Sequence, residues 1–259
     1  MTWRNAFYLA LALLIACPST VWSQERDPIL VPEVSQHEVL VRQGFTGTEL
    51  LLYGAILNPD GRRARADYDI VVILRGPDQA ISVREKQRFA GIWVNADETA
   101  FRSVPSFFAL ASSSPIDAIV DPRTATIYEL GLQYLQLSPT GSIDPVEQAR
   151  FTRGLVDLRQ RSDLFQQDET GVTISEGVLY QARIGLPSNV QVGKYIAETM
   201  AVREGRVIAS ATAEVQVRKE GFDRVVAEQA QENSFAYGLL AVALSVFMGW
   251  LAGRIFSLV

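Results

Sequence analysis

The stretch GFTGTELLLYGAI, residues 44–56, decides the fold class of this chain. A Phe-Thr-Gly turn leads into a run in which nearly every position is apolar. An apolar run of this length is typical of a central strand that is covered on both faces of its sheet. We therefore expect Leu50, Leu52 and Ile56 to enter a β-sheet core. Gly47 would supply a backbone angle that other residues resist.

Segments on either side of this run repeat a pattern of short strands with turn signals every 8–12 residues. This spacing predicts a mainly β fold, an Ig-like β-sandwich with a helical insert. A hairpin is expected around Glu204 and Gly205. The predicted strands cover residues 37–43, 48–57, 67–76, 81–86, 89–95, 100–105, 107–112, 171–175, 178–186, 194–203 and 206–218.

Between residues 115 and 168 the pattern changes to that of helices. Asp121-Pro122 and Asp144-Pro145 each place a capping Asp before a Pro in the first helical position. The body therefore divides into β-sandwich strands at 24–114, a helical insert at 115–168 and further strands at 169–219. These last strands either complete the first sandwich or form a second small Ig-like module. We favour one continuous unit because four strands alone bury little.

The N-terminal residues 1–23 have the pattern of a secretory signal peptide. Arg4 is followed by an apolar core and then by Val21 and Ser23, which suit the small-residue positions of a cleavage site. Two alternatives stay open: an uncleaved anchor, and a lipobox that would make Cys17 a lipidated N-terminus. Cleavage after Ser23 is preferred, and the mature chain would then contain no cysteine and no disulfide.

The C-terminal residues 235–255 predict a transmembrane helix, preceded by a juxtamembrane helix at 220–234. The segment from Phe235 to Gly253 contains few polar groups, and at about 1.5 Å per residue it spans about 28 Å, the thickness of a hydrocarbon core. Gly249 and Gly253 form a GxxxG spacing, which allows two helices to pack closely. Together with the export signal, this helix predicts a single-pass inner-membrane protein whose body lies in the periplasm.

Composition argues against several classes of function. One cysteine and one histidine cannot build a Cys/His zinc site, and a net charge of −5 gives no electrostatic case for nucleic-acid binding. The sequence contains no motif of a nucleotide-binding loop, a serine hydrolase elbow or a zinc metalloprotease. We therefore expect no catalysis, no cofactor and no metal site.

Polar residues that are able to do chemistry have simpler structural interpretations. His37 opens an edge-like strand, where a surface histidine is expected rather than a general base. Asp67 and Asp69 point to one face of a strand and could bind calcium, but a solvated turn is preferred because the other oxygen ligands are not visible. Asp97 and Glu98 are expected in a turn.

Two sequence features are candidates for a partner surface. Phe107 and Phe108 lie in VPSFFALASSSP, which forms either a core strand leading into the helical insert or an exposed aromatic lip. Arg62, Arg63 and Arg65 form a basic loop, which is either simply solvated or in contact with anionic lipid or a partner protein.

Five stretches resemble a family of alphaproteobacterial transmembrane proteins: FTGTELLLYGAI, GIWVN, VPSFFALASSSP, LPSNVQVGKY and KEGFDR, in this order. The resemblance covers nearly the whole mature chain and implies an extracytoplasmic β-rich body with one C-terminal span. It carries over no catalytic residue, because none is established for the family. It also implies a partner, a sulfite-exporter-type (TauE/SafE-type) permease, since members are often encoded near one.

These observations predict a non-catalytic, membrane-anchored periplasmic protein that serves an inner-membrane partner as an accessory or interaction module. Self-association through the span is compatible with the glycine spacing. The alternative is a periplasmic binding module for a small anion or sulfur compound, which would use the arginines of the basic loop.

Overall fold

A computed structural model describes residues 28–42, 44–57, 68–141, 143–220 and 234–256 of the 259-residue chain. The predicted signal peptide with Cys17, the basic loop and most of the predicted juxtamembrane helix lie outside the described residues. The described residues comprise a β-rich body and one helix near the C-terminus.

The described part of the chain is mainly β, with twelve strands, four α-helices and one 3-10 turn. The strands are β1 (Ile29–Val34), β2 (Glu38–Val41), β3 (Gly47–Leu57), β4 (Asp69–Arg75), β5 (Asp78–Phe89), β6 (Ile92–Pro105), β7 (Phe108–Ser112), β8 (Phe165–Asp168), β9 (Val172–Ser175), β10 (Leu179–Pro187), β11 (Gly193–Arg203) and β12 (Arg206–Lys219). The helices are α1 (Ile116–Ile119), α2 (Pro122–Ile127), α3 (Pro145–Arg161) and α4 (Ser234–Phe256), and the 3-10 turn is Leu132–Tyr134.

Ten of these strands form two sheets that pack against each other. The first sheet has the order β1-β3-β10-β9 and is antiparallel throughout. The second has the order β2-β12-β11-β4-β7-β8, in which β2 runs parallel to β12 and β8 runs parallel to β7. The other two strands, β5 and β6, form a separate long hairpin.

Strands from before and after the helical segment are neighbours in both sheets. In the first sheet Leu52 of β3 lies opposite Ala182 of β10, and in the second sheet Val72 of β4 lies opposite Thr199 of β11. The inward side chains of both sheets belong to one hydrophobic core. Its largest fully buried members are Tyr180, Tyr195, Phe101, Phe107, Phe108, Phe165, Leu50, Leu52, Ile56, Ile70, Leu74 and Leu110.

Burial alternates along β3, which is central in its sheet but covered on one face only. Leu50, Leu52 and Ile56 are buried as predicted, whereas Tyr53 is 40% exposed and Leu57 48% exposed. The prediction of two covered faces is wrong, because only the inward face of the first sheet meets the second sheet.

Two predicted turns are confirmed. Gly47 has a φ of +110°, and a Cβ at this position would lie 2.7 Å from the carbonyl oxygen of Leu186. Both features require glycine. Glu204 and Gly205 form the two-residue turn between β11 and β12, with φ of +50° and +78°. Positive φ at both positions is the geometry that tight hairpins favour.

The predicted strand pattern is wrong in two regions. It omits β1, an edge strand in which Pro32 is tolerated because one side of the strand needs no ladder hydrogen bond. It also divides residues 78–105 into three short segments, whereas they form the single hairpin of β5 and β6. Most of this hairpin faces solvent, so it lacks the apolar content that marks a buried strand. Asp97 and Glu98, expected in a turn, lie within β6.

Both predicted helix caps are confirmed. The Asp121 carboxylate accepts a hydrogen bond from a first-turn amide of α2 at 3.0 Å, and Asp144 does the same for α3 at 2.8 Å. Phe151 and Leu155 of α3 are buried against the body. The last residues of the predicted insert, Phe165–Asp168, form β8 at an edge of the second sheet.

The C-terminal helix α4 comprises 23 residues. All of its described side chains are exposed. Over the part of the chain that the structure describes, no helix is both long enough and apolar enough to cross a membrane.

Candidate functional site

The hairpin of β5 and β6 is the part of the body best placed to contact another molecule. It contains 12 residues in β5 and 14 in β6, joined by a two-residue turn at Ala90 and Gly91. The turn residues have φ of 48° and 88°, as tight hairpins favour. At about 3.3 Å per residue, the distance along β5 from Asp78 to Phe89 is about 36 Å.

The hairpin tip, residues 86–95, exposes three large apolar side chains. Phe89 is 72%, Ile92 64% and Trp93 69% exposed. Phe89 lies directly opposite Ile92, and Arg88 lies opposite Trp93, so these side chains surround the turn from both strands. Clusters of exposed apolar side chains mark sites of contact with proteins or membranes.

Charged side chains are distributed unevenly along the hairpin. Below the tip, Arg84 of β5 pairs with Glu98 of β6 at 3.1 Å. The tip itself contains two cations, Lys86 and Arg88, and no acidic residue. Within the described part of the chain, neither of these two cations has an ion-pair partner. The tip therefore combines an apolar surface with uncompensated positive charge.

Helix α3 supports the middle of the hairpin. Its Arg150 lies among three carboxylates, 3.2 Å from Glu85, 3.4 Å from Asp97 and 3.8 Å from Glu147. The same guanidinium lies 5.5 Å from the ring centroid of Phe151, a buried residue of α3. Each of these exposed ion pairs is weak by itself, but together they hold both strands of the hairpin against one helix.

The base of the hairpin lies at the end of the body where β12 ends. Pro77, which precedes β5, packs so closely on Gly193 that a Cβ there would lie 2.7 Å from the proline Cγ. Gly193 pairs with Val217, close to the end of β12 at Lys219. The hairpin and the segment that leads to α4 therefore start from the same end of the body.

Tyr195 fixes the structure at this end. Its side chain is fully buried, its ring centroid lies 6.0 Å from that of Phe107, and its hydroxyl donates to the carbonyl oxygen of Gln191 at 2.7 Å. Burial raises the pKa of Tyr195 to about 12. Gly76, just before the hairpin, has no room for a side chain, because a Cβ would lie 2.6 Å from Ser106 Oγ and 3.0 Å from the Tyr195 ring.

The aromatic pair that is one of the predicted partner surfaces is buried. Phe107 and Phe108 are both 0% exposed. Phe108 packs against Phe165 of β8 at 6.1 Å between ring centroids, and the Arg75 guanidinium lies 5.5 Å from its ring. Both residues are part of the core, so the interpretation as an exposed aromatic lip is wrong.

The other predicted surface residues stay predictions. Arg62, Arg63 and Arg65 lie outside the described residues. Gly249 and Gly253 are four residues apart in α4 and therefore share a face of the helix. A Cβ at either glycine would meet no other part of the described chain within 4 Å, so this face is open to a partner.

Polar residues that could take part in catalysis or metal binding have ordinary structural surroundings. His37 is exposed, and its Nε2 lies 3.0 Å from a glutamate four residues earlier. Asp69 accepts hydrogen bonds from the hydroxyls of Ser113 and Ser114, each at 2.8 Å. Asp67 lies outside the described residues. Among the residues that the structure describes, no group of three His, Cys, Asp or Glu is placed to hold a metal ion.

Sequence reasoning did not identify the hairpin tip as a functional candidate. The sequence signal for this hairpin is the pair Ala90-Gly91, which is preceded by the large apolar residue Phe89 and followed by Ile92. Alanine at the first turn position is an uncommon choice, which weakens this signal.

Comparison with known proteins places the chain in a family. It matches the family described as "Putative transmembrane protein (Alph_Pro_TM)" over residues 29–257. No curated protein matches the chain, and no solved structure matches it. The family match runs from β1 into the C-terminal segment and includes the whole hairpin. As the sequence resemblance predicts, the chain belongs to this alphaproteobacterial family of proteins described as transmembrane.

Proposed function

We propose that this protein is a non-catalytic interaction module that α4 anchors in the inner membrane, with its β-rich body in the periplasm. One observation carries the proposal: the hairpin and the segment that leads to α4 start from the same end of the body. An element with exposed apolar side chains is thereby attached on the side of the anchor.

Two observations support the anchor. The family is described as transmembrane, and residues 235–253 contain few polar groups along their whole length. Lipid would bury apolar side chains that water solvates poorly. The orientation follows from the predicted export signal at residues 1–23. The large apolar side chains exposed on α4 are Phe235, Leu239, Val242, Leu244, Val246, Phe247, Met248, Trp250 and Leu251.

The strand order supports an Ig-like sandwich for the body. An Ig sandwich packs a sheet of strands A, B, E and D on a sheet of strands C, F and G, and variable-type domains extend the second sheet beside strand C. The orders β1-β3-β10-β9 and β12-β11-β4-β7 agree with this scheme. Tyr195 near the start of β11, bonded to the backbone of Gln191, has the position and the contact of a tyrosine corner.

The partner that we propose is an integral protein of the inner membrane, and a sulfite-exporter-type permease is the candidate that the family resemblance implies. The open face of α4 at Gly249 and Gly253 would pack against a helix of this partner. Because α4 holds the body near the membrane, the local concentration is high and a weak contact suffices.

Co-purification of the full-length protein in a mild detergent tests the proposal. We expect one integral membrane protein to co-purify with the unmodified chain and to be lost when Gly249→Leu and Gly253→Leu are combined. A Cβ at either position would meet no other part of the described chain within 4 Å. Ala243→Leu, on another face of the helix, is the matched control and should retain the partner. Repeated recovery of the chain without any membrane protein would contradict the proposal.

A second candidate function is the binding of a small anion or sulfur compound. Helix α3 and residues 133–139 border an open cleft of ≈ 540 Å³. Gln133, Gln136, Gln148 and Arg153 line part of it, and their donors suit an anionic ligand. A thermal-shift panel of sulfite, sulfate and thiosulfate tests this candidate, because a ligand of the native state raises the melting temperature. An unchanged melting temperature with all three anions counts against it.

A further inference from the structure

The hairpin tip combines exposed apolar side chains with positive charge, and both properties are typical of elements that lie in a membrane interface. Phe89, Ile92 and Trp93 are exposed at the end of the hairpin. Trp is enriched where hydrocarbon meets headgroups, because its ring is apolar and its N–H remains hydrogen-bonded. Lys86 and Arg88 add positive charge, which anionic lipid headgroups attract.

The acidic residues of the hairpin lie below the tip, and several of them form ion pairs there. Glu98 pairs with Arg84, while Glu85 and Asp97 share Arg150 with Glu147 of α3. These ion pairs offset part of the negative charge below the tip. The tip itself, residues 86–95, carries only positive charge beside its apolar side chains, and this arrangement complements an anionic bilayer surface.

The hairpin is long enough to reach a bilayer that holds α4. The chain from Lys219 to Ser234 contains 15 residue steps, which span at most about 50 Å. The hairpin, which starts at the same end of the body, is about 36 Å long. The hairpin is therefore comparable in length to the greatest reach of the segment between the body and α4.

We infer that the hairpin tip inserts into the interfacial region of the lipid bilayer that holds α4, with Lys86 and Arg88 at anionic headgroups. The inference rests on the proposed anchoring of α4. It gives the body two attachments to one membrane, a helix and a hairpin, which would restrict the orientation of the body at the surface.

Depth-dependent fluorescence quenching in the full-length protein tests the inference. The background variant Cys17→Ala removes the native thiol, and single cysteines replace Ile92 at the tip, Ser245 in α4 or Leu179 in β10. Each cysteine carries an environment-sensitive fluorophore. The protein is reconstituted into vesicles of three parts phosphatidylcholine to one part phosphatidylglycerol that contain no other protein. Parallel preparations carry a quencher either near the lipid headgroup, which detects an interfacial tip, or at the end of the acyl chain, which detects the centre of a spanning helix. Leu179 is the matched control, because it is apolar and 57% exposed but lies on the first sheet, outside the hairpin.

We expect quenching by the headgroup quencher at position 92, quenching by the acyl-chain quencher at position 245, a blue shift at both, and neither change at position 179. Quenching at 245 without quenching at 92 would overturn the inference and leave the anchoring intact. Absence of quenching at 245 would contradict the proposed anchoring, and the inference with it. A tip that stays in water in these vesicles but crosslinks to a protein in native membranes would also overturn the inference, in favour of a protein partner.

The two cations provide a second test that does not depend on the apolar side chains. Replacing both Lys86→Ser and Arg88→Ser should lower the ratio of inserted to free tip by about thirtyfold in the anionic vesicles, since each cation near an anionic surface contributes about fivefold. In pure phosphatidylcholine the same variant should behave like the unmodified tip. Arg206→Ser, at the start of β12 and at the other end of the body, is a control that removes one cation far from the tip. An equal loss of insertion in both kinds of vesicle would contradict the electrostatic part of the inference.

Discussion

Substitution of Tyr195 by phenylalanine removes one hydroxyl from the end of the body that holds both the hairpin and the exit of β12. The hydroxyl donates a hydrogen bond to the carbonyl oxygen of Gln191 at 2.7 Å, across the loop that connects β10 to β11. Tyr195→Phe keeps the ring and its contact with Phe107. The variant therefore isolates the hydrogen bond from the packing.

The expected loss of unfolding free energy follows from the burial of this site. Tyr195 is 0% exposed, but the Gln191 carbonyl that loses its donor belongs to an exposed residue, so water can replace part of the bond. A hydrogen bond of this kind contributes about 0.5–1.5 kcal/mol. Tyr195→Ala also removes the ring, and large-to-small changes of an aromatic residue in a core cost about 3–5 kcal/mol.

Urea unfolding of the full-length protein in detergent micelles, followed by circular dichroism of the β-rich body, measures both losses. Tyr53→Phe is the matched control, because Tyr53 lies on the outer face of the first sheet and is 40% exposed. A surface change of this kind should stay within about 0.5 kcal/mol. If Tyr195→Phe is no more destabilising than Tyr53→Phe, the reasoning about the corner is refuted.

The buried hydroxyl of Tyr195 should also make the stability of the protein depend on pH. Burial raises the pKa of Tyr195 to about 12, whereas an unfolded tyrosine titrates near its usual value of about 10. Between these values the native state binds more protons than the unfolded state, so stability must fall as pH rises. This group alone should contribute a loss of about 1.4 kcal/mol per pH unit from about pH 10 to about pH 12. Tyr195→Phe should show a slope smaller by this amount, and an unchanged slope would refute the assignment.

Three further substitutions test the fold by urea unfolding of the full-length protein. Gly47→Ala should lose about 1–3 kcal/mol, because an L-residue is strained at a φ of +110° and its Cβ would meet the carbonyl oxygen of Leu186; no loss would contradict the turn. Asp144→Ala should lose about 1 kcal/mol through the missing cap of α3, and Asp144→Asn should recover most of it, whereas equal losses would contradict the capping role. Arg150→Ala should cost under about 1 kcal/mol, with a smaller loss at high salt, because its ion pairs are exposed; the prediction fails if the cost is large and independent of salt.

Local rules predicted the parts of the fold that depend on near neighbours in sequence. The capping role of Asp121 and Asp144 follows from the Asp-Pro order alone, and both caps occur. The turn at Glu204 and Gly205 follows from a short polar pair between two strand patterns. The inward residues of β3, such as Leu50, follow from the two-residue period of strands.

Features that depend on distant neighbours were not predictable from the sequence. Apolar alternate residues in β3 suggested a second covered face, but no local signal tells whether another layer lies over Tyr53. The burial of Phe107 depends on the ring of Tyr195, almost ninety residues later in the chain. The local sequence around Phe107 therefore cannot distinguish an exposed lip from a core strand.

The candidate site was missed for a related reason. Phe89 and Trp93 resemble strand residues of any sheet, and only the pairing of β5 with β6 places them at the end of a free hairpin. Likewise, the sequence does not show that Asp97 pairs with Arg150 of α3 and so leaves the cations of the tip uncompensated. Exposure and charge compensation are properties of the folded chain.

We propose above that the β-rich body lies outside the cytoplasm while α4 is held in the inner membrane. Labelling of a single cysteine in intact spheroplasts tests it most directly, with Gln181→Cys on the exposed outer face of the first sheet in a Cys17→Ala background. We expect a membrane-impermeant maleimide to label this cysteine without lysis, and the labelled chain to stay in the membrane pellet after alkaline carbonate. Labelling that requires lysis, or release of the labelled chain by carbonate, would contradict the account.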